Sequence, residues 1–383
     1  EIKEAKRRNL PIYKRGEVLG HIVSLLKNIV IAGSHGKTTT TSLISSIFSE
    51  TKMDATIING GVLNSYGNSA KLGKSEWCVL ESDESDGSFL KIPITYSVVT
   101  NIDKEHLDFY KSIDNLKKDF QTFIENTPSF GKCFVCFDDK INKEVLKKIK
   151  NKNFLTYGME KKTNFRIKNV SQKENQSQFD LIISLPGRPI KIIKKIQLPI
   201  IGLHNIRNAT AAVAVSHSIG ISDKIIKRGL KNYQGVQRRF NYLFEHKKSI
   251  FIDDYAHHPT EIKSVLSGVK EVYKERNIYC IFQPHRVSRI NDLKIQFENC
   301  FKYASYVVLC PVFKAGEKIR LNVNYRKFAS NIAKKSNTIV IMIQDEKELI
   351  KFVKQNIFGK NIVIGMGAGS ISGWMKNLKF NLK

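Results

Sequence analysis

The stretch that most constrains the fold is NIVIAGSHGKTTTTSLISSIF, residues 28–48. A buried strand over 28–33 runs into two glycines, a lysine and a threonine, and a Thr/Ser-rich helix follows over 37–49. This order suits a phosphate cradle, because backbone N–H groups and a helix N-terminus point at anionic oxygens. The usual loop carries four residues between its glycines. Here Gly33-Ser34-His35-Gly36-Lys37-Thr38 carries two, which leaves two readings, a nucleotide loop of a different lineage or an incidental Gly-rich strand-to-helix turn. In the first, Lys37 is placed to reach the terminal phosphates and Thr38 to offer its hydroxyl to Mg²⁺.

The rest of the chain extends this α/β pattern. Short apolar runs at 77–80, 96–100 and 133–137 alternate with helical patterns at 112–126 and 141–150, which predicts a parallel sheet covered by helices. Between 154 and 198 the segments shorten and alternate, predicting an antiparallel excursion, and helices return near 204–219 and 222–230. A second alternating block starts near 236. Its strands are expected at 249–253, 277–282, 305–310, 338–343 and 361–365, with helices at 259–274, 286–299, 324–335 and 345–356. That is a complete doubly wound unit. The expected organisation is a central P-loop-type ATPase domain with a mixed or parallel sheet over 21–235, then a Rossmann-like doubly wound domain over 236–383.

Composition limits the function classes. Of 383 residues, 63 are basic and 35 acidic, a net +28 that invites a nucleic-acid reading. The lysines are scattered rather than clustered, and no aromatic–basic interleaving marks a single-strand platform. The charge is read as compositional, with a field that suits an anionic substrate. No apolar run approaches the length of a membrane span, and the first fifteen residues contain no apolar core of a signal peptide. Most of the six cysteines sit in apolar, strand-like runs. The single C-x-x-C of Cys133 and Cys136 has no second pair, so buried free thiols in a reducing compartment are expected rather than a metal site.

Polar motifs recur where strands end. ESDESDGSFL ends a strand with Glu81, Asp83, Glu84 and Asp86, and a carboxylate at a strand end beside the loop is a natural Mg²⁺ ligand. TNIDKEHLDFY brings His106 to the end of another strand. GLHNIRNATAAVAV puts Asn205 and Asn208 one turn apart on a starting helix. GVQRRFNYL carries Arg238 and Arg239. FIDDYAHHPTEI carries Asp253, Asp254, His257 and His258, and FQPHRVSRI carries His285, Arg286 and Arg289. Each alone passes for a polar loop, but two basic patches at neighbouring strand ends suit an anionic substrate.

Taken in order, GSHGKTTTT, ESDESDGSFL, TNIDKEHLDFY, GLHNIRNATAA, GVQRRF, DDYAHHPTE, FQPHR and GMGAGSIS resemble the Mur ligase family over essentially the whole chain. ESDESD and FQPHR resemble its alanine-adding branch. The resemblance implies a cytoplasmic ATP- and Mg²⁺-dependent ligase that joins L-alanine to the carboxylate of UDP-N-acetylmuramate through an acyl phosphate, in peptidoglycan precursor synthesis. It implies nucleotide contacts from Gly33, Ser34, His35, Gly36, Lys37, Thr38, Thr39, His204, Asn205, Asn208, Arg239 and Asp254. Metal contacts are implied for Thr38, Glu81 and His106, with Glu84 the alternative to Glu81. Lys37 and His106, with His257, His285, Arg286 and Arg289 facing the substrates, form the implied catalytic set. The family carries a first, UDP-binding domain, which the resemblance implies is missing here, with residues 1–20 the remnant of the linker that follows it. No nucleic-acid or membrane partner is expected, and the oligomeric state is left open. The alternatives are a tripeptide-recycling ligase of the same family, a basic nucleic-acid-dependent ATPase, and a non-catalytic remnant.

Overall fold

The computed structural model describes residues 1–319 and 321–382. The chain forms two compact units. The first comprises residues 1–171, 176–199 and 204–234, and the second residues 172–175, 200–203 and 235–383.

The first unit is built on a ten-stranded sheet. Its strands are β1 (Lys27–Ala32), β2 (Thr56–Leu63), β3 (Asn68–Lys71), β4 (Trp77–Glu81), β5 (Tyr96–Val99), β6 (Cys133–Cys136), β7 (Phe154–Gly158), β8 (Phe165–Lys173), β9 (Gln176–Ile183) and β10 (Lys191–Leu198). The spatial order is β10-β9-β8-β7-β6-β5-β1-β4-β2-β3. From β2 through β8 the ladders are parallel, whereas β2–β3 and β9–β10 pair antiparallel. At the centre, Ile29, Val30, Ile31 and Ala32 of β1 are all buried, as a parallel strand covered on both faces requires. The helix Lys37–Phe48 follows it and buries Leu43, Ile44, Ile47 and Phe48. Its buried hydroxyls are partly satisfied within the unit: Ser42 Oγ donates to Thr39 O at 2.8 Å and lies 2.8 Å from Tyr233 Oη. The helix Ile113–Glu125 starts on a Ser112 cap and presents Leu116, Phe120, Phe123 and Ile124 to the core.

Three features of this unit differ from the expectation. The ladder β6–β7–β8 is parallel, so the antiparallel excursion does not begin at 154. Alternation reports which face is buried, not strand direction. Strands β2 and β3 were not expected, because the Asn59-Gly60-Gly61 run inside β2 reads as a turn. The helix near 141 ends at Leu146 rather than 150.

The second unit contains β11 (Asn241–His246), β12 (Ser249–Asp254), β13 (Asn277–Phe282), β14 (Tyr306–Leu309), β15 (Ile339–Met342) and β16 (Asn361–Met366). Their order is β11-β12-β16-β13-β14-β15, all parallel except the edge strand β11, which the sequence reading did not anticipate. One face packs helices Pro259–Val272, Val287–Asn299 and Tyr325–Ser336 through Ile262, Leu266, Ile290, Phe297, Phe328 and Ile332. The other packs helices Glu346–Asn356 and Ile371–Asn381 through Leu349, Val353, Met375 and Leu378. The expected doubly wound form is therefore present, with the carboxyl ends of β12, β16 and β13 side by side. Among the described residues no helix is long and apolar enough to cross a membrane.

Candidate nucleotide and substrate sites

In the first unit the loop leaves β1 at Ala32 and enters the helix at Lys37. Gly33 (φ 129°) and Gly36 (φ 85°) hold backbone conformations that side chains rarely adopt. A Cβ on Gly36 would also fall 2.7 Å from Asn208 Oδ1, so Asn208 packs directly on the loop from the helix Leu203–Ser218. His204 and Asn205 stand in the first turn of that helix, and Thr39 is buried in the first turn of the loop's own helix. The segment after β5 ties the loop down. Ser34 N donates to Asn101 O and His35 N to Asn101 Oδ1, both at 2.9 Å. Thr100 Oγ1 and Asn101 Nδ2 donate to His35 O at 2.6 and 2.9 Å. His35 Nε2 lies 3.0 Å from Asp103 Oδ2.

Lys37 is nearly buried, and its ammonium donates to Gly33 O at 2.7 Å and Glu84 Oε2 at 2.8 Å, with Asp83 Oδ1 at 3.8 Å. Burial opposes its charge, but the carboxylates of Glu84, Asp83 and Glu81 outweigh that and hold the amine protonated well above its ordinary range. Glu84 is fully buried, and burial raises its pKa against the pull of Lys37. Tyr110 Oη donates to the Glu84 carbonyl at 2.5 Å.

Two oxygen-rich donor sets flank the loop. Thr38 Oγ1 donates to Glu81 Oε1 at 3.1 Å, and Glu81 Oε2 accepts from Gly60 N at 2.7 Å. In the second set, ligand atoms of Asp83, Glu84 and His106 lie within 4.8 Å of one another, and His106 Nε2 is 3.8 Å from Glu84 Oε1. That buried Oε1 has no hydrogen-bond partner among the described residues. An orphaned buried carboxylate oxygen beside an imidazole and a second carboxylate is a donor set that fits a hard divalent cation. The geometry thus gathers Lys37, Thr38, Glu81 and His106, and adds Asp83 and Glu84.

In the second unit Arg238 and Arg239 lie on the turn into β11, with Arg238 at φ 60° and Phe240 at φ 52°. Their guanidinium carbons sit 4.7 and 5.0 Å from the centre of the Tyr255 ring. Asp254, at the end of β12, fixes that turn by accepting from Phe240 N and Ala256 N, both at 2.8 Å. Burial pushes its carboxyl up to about 6 against the pull of Arg239. His258 and Glu261 form a reciprocal cap on the helix that begins at Pro259.

At the end of β13, the His285 ring stacks on Phe313 (5.6 Å, 10°) and meets the edge of His257 at 5.9 Å. Arg289 Nη1 lies 3.4 Å from His285 Nδ1. Burial, then the charges of Arg289 and Arg286, lower the imidazole to about 4, so it is neutral at pH 7. His257, His285 and Arg289 therefore converge, with Arg286 at the head of the following helix. Three contributors carried no motif in the sequence: Gly60 behind Glu81, Phe313 under His285, and Glu317, whose carboxylate accepts from Val287 N at 2.7 Å and Ser288 N at 3.1 Å. Each lies far along the chain from the residue it supports, so no local spacing marks it.

Comparison with known proteins accords with both units. Residues 31–216 match the model of the Mur ligase middle domain, and residues 238–369 match that of the Mur ligase, glutamate ligase domain. The UDP-N-acetylmuramate–L-alanine ligase of Pelagibacter ubique is 60% identical over 99% of this chain and 82% of its own length. The enzyme of the same name from Rhodospirillum rubrum is 38% identical over 100% of this chain and 80% of its own length. Among solved structures, the UDP-N-acetylmuramate-alanine ligase of Thermotoga maritima superposes with a TM-score of 0.81 at 24% identity, covering 99% of this chain and 81% of that one. A murein peptide ligase from Psychrobacter arcticus gives 0.70 at 20% identity, covering 100% and 82%. The chain belongs to the Mur ligase family.

Proposed function

We propose that this protein is an ATP-dependent ligase that joins L-alanine to the carboxylate of UDP-N-acetylmuramate, in the cytoplasmic synthesis of peptidoglycan precursors. The observation that carries the reading is the 60% identity, across 99% of the chain, to a ligase of that name. ESDESD and FQPHR, which resemble the alanine-adding branch, favour it over the tripeptide-recycling reaction, and scattered lysines without aromatic–basic interleaving disfavour a nucleic-acid-dependent ATPase.

The chemistry runs in two steps. A carboxylate oxygen of the muramate attacks the γ-phosphorus of ATP, and ADP leaves, giving an acyl phosphate. The amine of L-alanine then adds to the acyl carbon, phosphate departs with the carboxylate oxygen that bound it, and the nitrogen loses a proton. Both steps crowd anions together, so charge neutralisation is the main requirement. Lys37 is assigned to the γ-phosphate, because its ammonium is kept charged by the carboxylates around it. The N–H groups of Gly36–Thr39 are assigned to the phosphates, because those of Ser34 and His35 are committed to Asn101, and Asn208 braces the loop through Gly36. His204 and Asn205, with Arg239 and Asp254, are assigned to the nucleotide. Thr38, Glu81 and His106, with Asp83 and Glu84 beside them, would hold Mg²⁺, which supplies charge neutralisation at the phosphates. His257, His285, Arg286 and Arg289 are assigned to the anionic substrates. A neutral His285 at pH 7 accepts a hydrogen bond, so the positive charge there comes from the guanidinium groups.

The test is acceptor selectivity. The protein is given ATP, Mg²⁺ and UDP-N-acetylmuramate with either L-alanine or a muropeptide-type tripeptide, and product mass is read. Alanine ligation with little tripeptide ligation is expected, and the reverse preference would overturn the reading.

A further inference from the structure

The strap that follows β14 reaches back over the end of β13. Residues 284–288 are pinned to it at every turn. Phe313 N donates to Pro284 O at 2.8 Å and Arg286 N donates to Phe313 O at 2.9 Å. Val287 N (2.7 Å), Ser288 N (3.1 Å) and Ser288 Oγ (2.6 Å) all donate to the carboxylate of Glu317. Between these anchors Arg286 holds φ 69° and ψ 133°, a conformation that is costly for any residue with a side chain. A segment does not keep such a conformation unless its surroundings impose it, and here the surroundings are Phe313 and Glu317.

Glu317 has a second consequence. The first N–H groups of the helix Val287–Asn299 point towards whatever anion lies at its N-terminus. That position is already filled by Glu317, from thirty residues further along the chain. The helix end is therefore not offered to a substrate anion, and recognition falls to the side chains of Arg286 and Arg289. The same carboxylate also lies near enough to Arg286 for the two charges to attract.

We propose that Glu317 is a positioning residue for substrate-anion binding: by capping this helix from the strap, it imposes the backbone conformation that aims Arg286 and Arg289. The proposal rests on the reading that these arginines serve the carboxylate-bearing substrates.

The test compares Glu317→Ala and Glu317→Gln with the wild type by two readouts. The first needs no substrate: hydrogen exchange at the amides of Val287 and Ser288, with the NMR shift of the His285 ring. Glu317→Ala is expected to accelerate both amides and move the His285 resonance, and Glu317→Gln, which keeps one acceptor oxygen, to fall between. The second is kinetic. The KM for UDP-N-acetylmuramate or L-alanine is expected to rise between about ten- and a hundredfold, with the KM for ATP unchanged, because small displacements of positioning groups cost rate on that scale. Unchanged amide exchange and an unmoved His285 resonance in Glu317→Ala would overturn the proposal whatever the activity. So would a lowered thermal midpoint and kcat with every KM unchanged, which is what a purely structural cap gives. If the exchange readout changes as expected but the wild type ligates no alanine, the positioning role stands and the assigned substrate falls.

Discussion

Replacing Gly60 by alanine tests whether the orientation of Glu81 matters to the chemistry. Gly60 lies in β2, outside the strained left-handed region, so alanine suits its backbone. The added Cβ would fall 2.6 Å from Glu81 Oε2 and 2.8 Å from both Oε1 and the carboxyl carbon. The obstructed atoms are the end of a flexible side chain, so the carboxylate turns away and the sheet stays. The turn removes the 2.7 Å bond from Gly60 N and the 3.1 Å bond from Thr38. A hydrogen bond to a charged acceptor is worth about 1.5–3 kcal/mol, roughly a ten- to hundredfold factor in rate if that orientation is needed in the transition state. Stability should change by no more than about 1 kcal/mol, since no core contact is lost. Thermal unfolding and ADP release dependent on both substrates give the two numbers. A well-folded variant with wild-type kcat/KM would refute the assignment of Glu81. A large loss of stability would refute the claim that only the side chain yields.

Two further outcomes follow from the ionisable groups. Lys37→Ala should remain folded, because burial raises the pKa of Glu84 and, without the opposing ammonium, this carboxyl can take up a proton instead of standing as an unpaired charge, yet lose on the order of 10²-fold or more in turnover; near-normal turnover in a folded variant would remove Lys37 from the mechanism. Asp254 titrates near 6 in the folded chain against an ordinary 3.8, so its folded state takes up a proton more readily than the unfolded chain. Its contribution therefore favours folding at low pH and is lost as pH rises through about 6. The stability difference between wild type and Asp254→Asn should shift against the wild type between about pH 4 and pH 6 and flatten above pH 7, measured by urea unfolding. A flat difference across that range would contradict the raised carboxyl.

Much of this protein was legible in the sequence because its motifs sit at strand ends, where periodicity breaks and chemistry begins. The strand–loop–helix around Lys37 and the five parallel strands of the second unit follow from apolar runs that burial demands. Edge and irregular elements were not legible. β2 carries its own Asn-Gly-Gly, and β11 is a short edge strand with a register shift between Tyr242 and Phe244. The acids of ESDESD were visible as a group, and the resemblance favoured Glu81 over Glu84 as the metal ligand, but the contacts of each were not legible. Only the packing separates Glu81, bonded to Thr38, from Glu84, buried against Lys37 with one oxygen left over. Gly60, Phe313 and Glu317 were invisible for one reason. They act on residues 21 to 30 positions away through contacts that only the sheet topology creates.

The most direct test of the central claim is isotope transfer. UDP-N-acetylmuramate labelled with ¹⁸O in its carboxylate is given to the protein with ATP, Mg²⁺ and L-alanine, and the released phosphate is analysed by mass spectrometry. An acyl phosphate formed at that carboxylate sends one labelled oxygen into phosphate for each alanine joined. Alanine ligation accompanied by unlabelled phosphate would contradict the acyl-phosphate route, and the absence of any alanine-dependent product would contradict the assigned reaction itself.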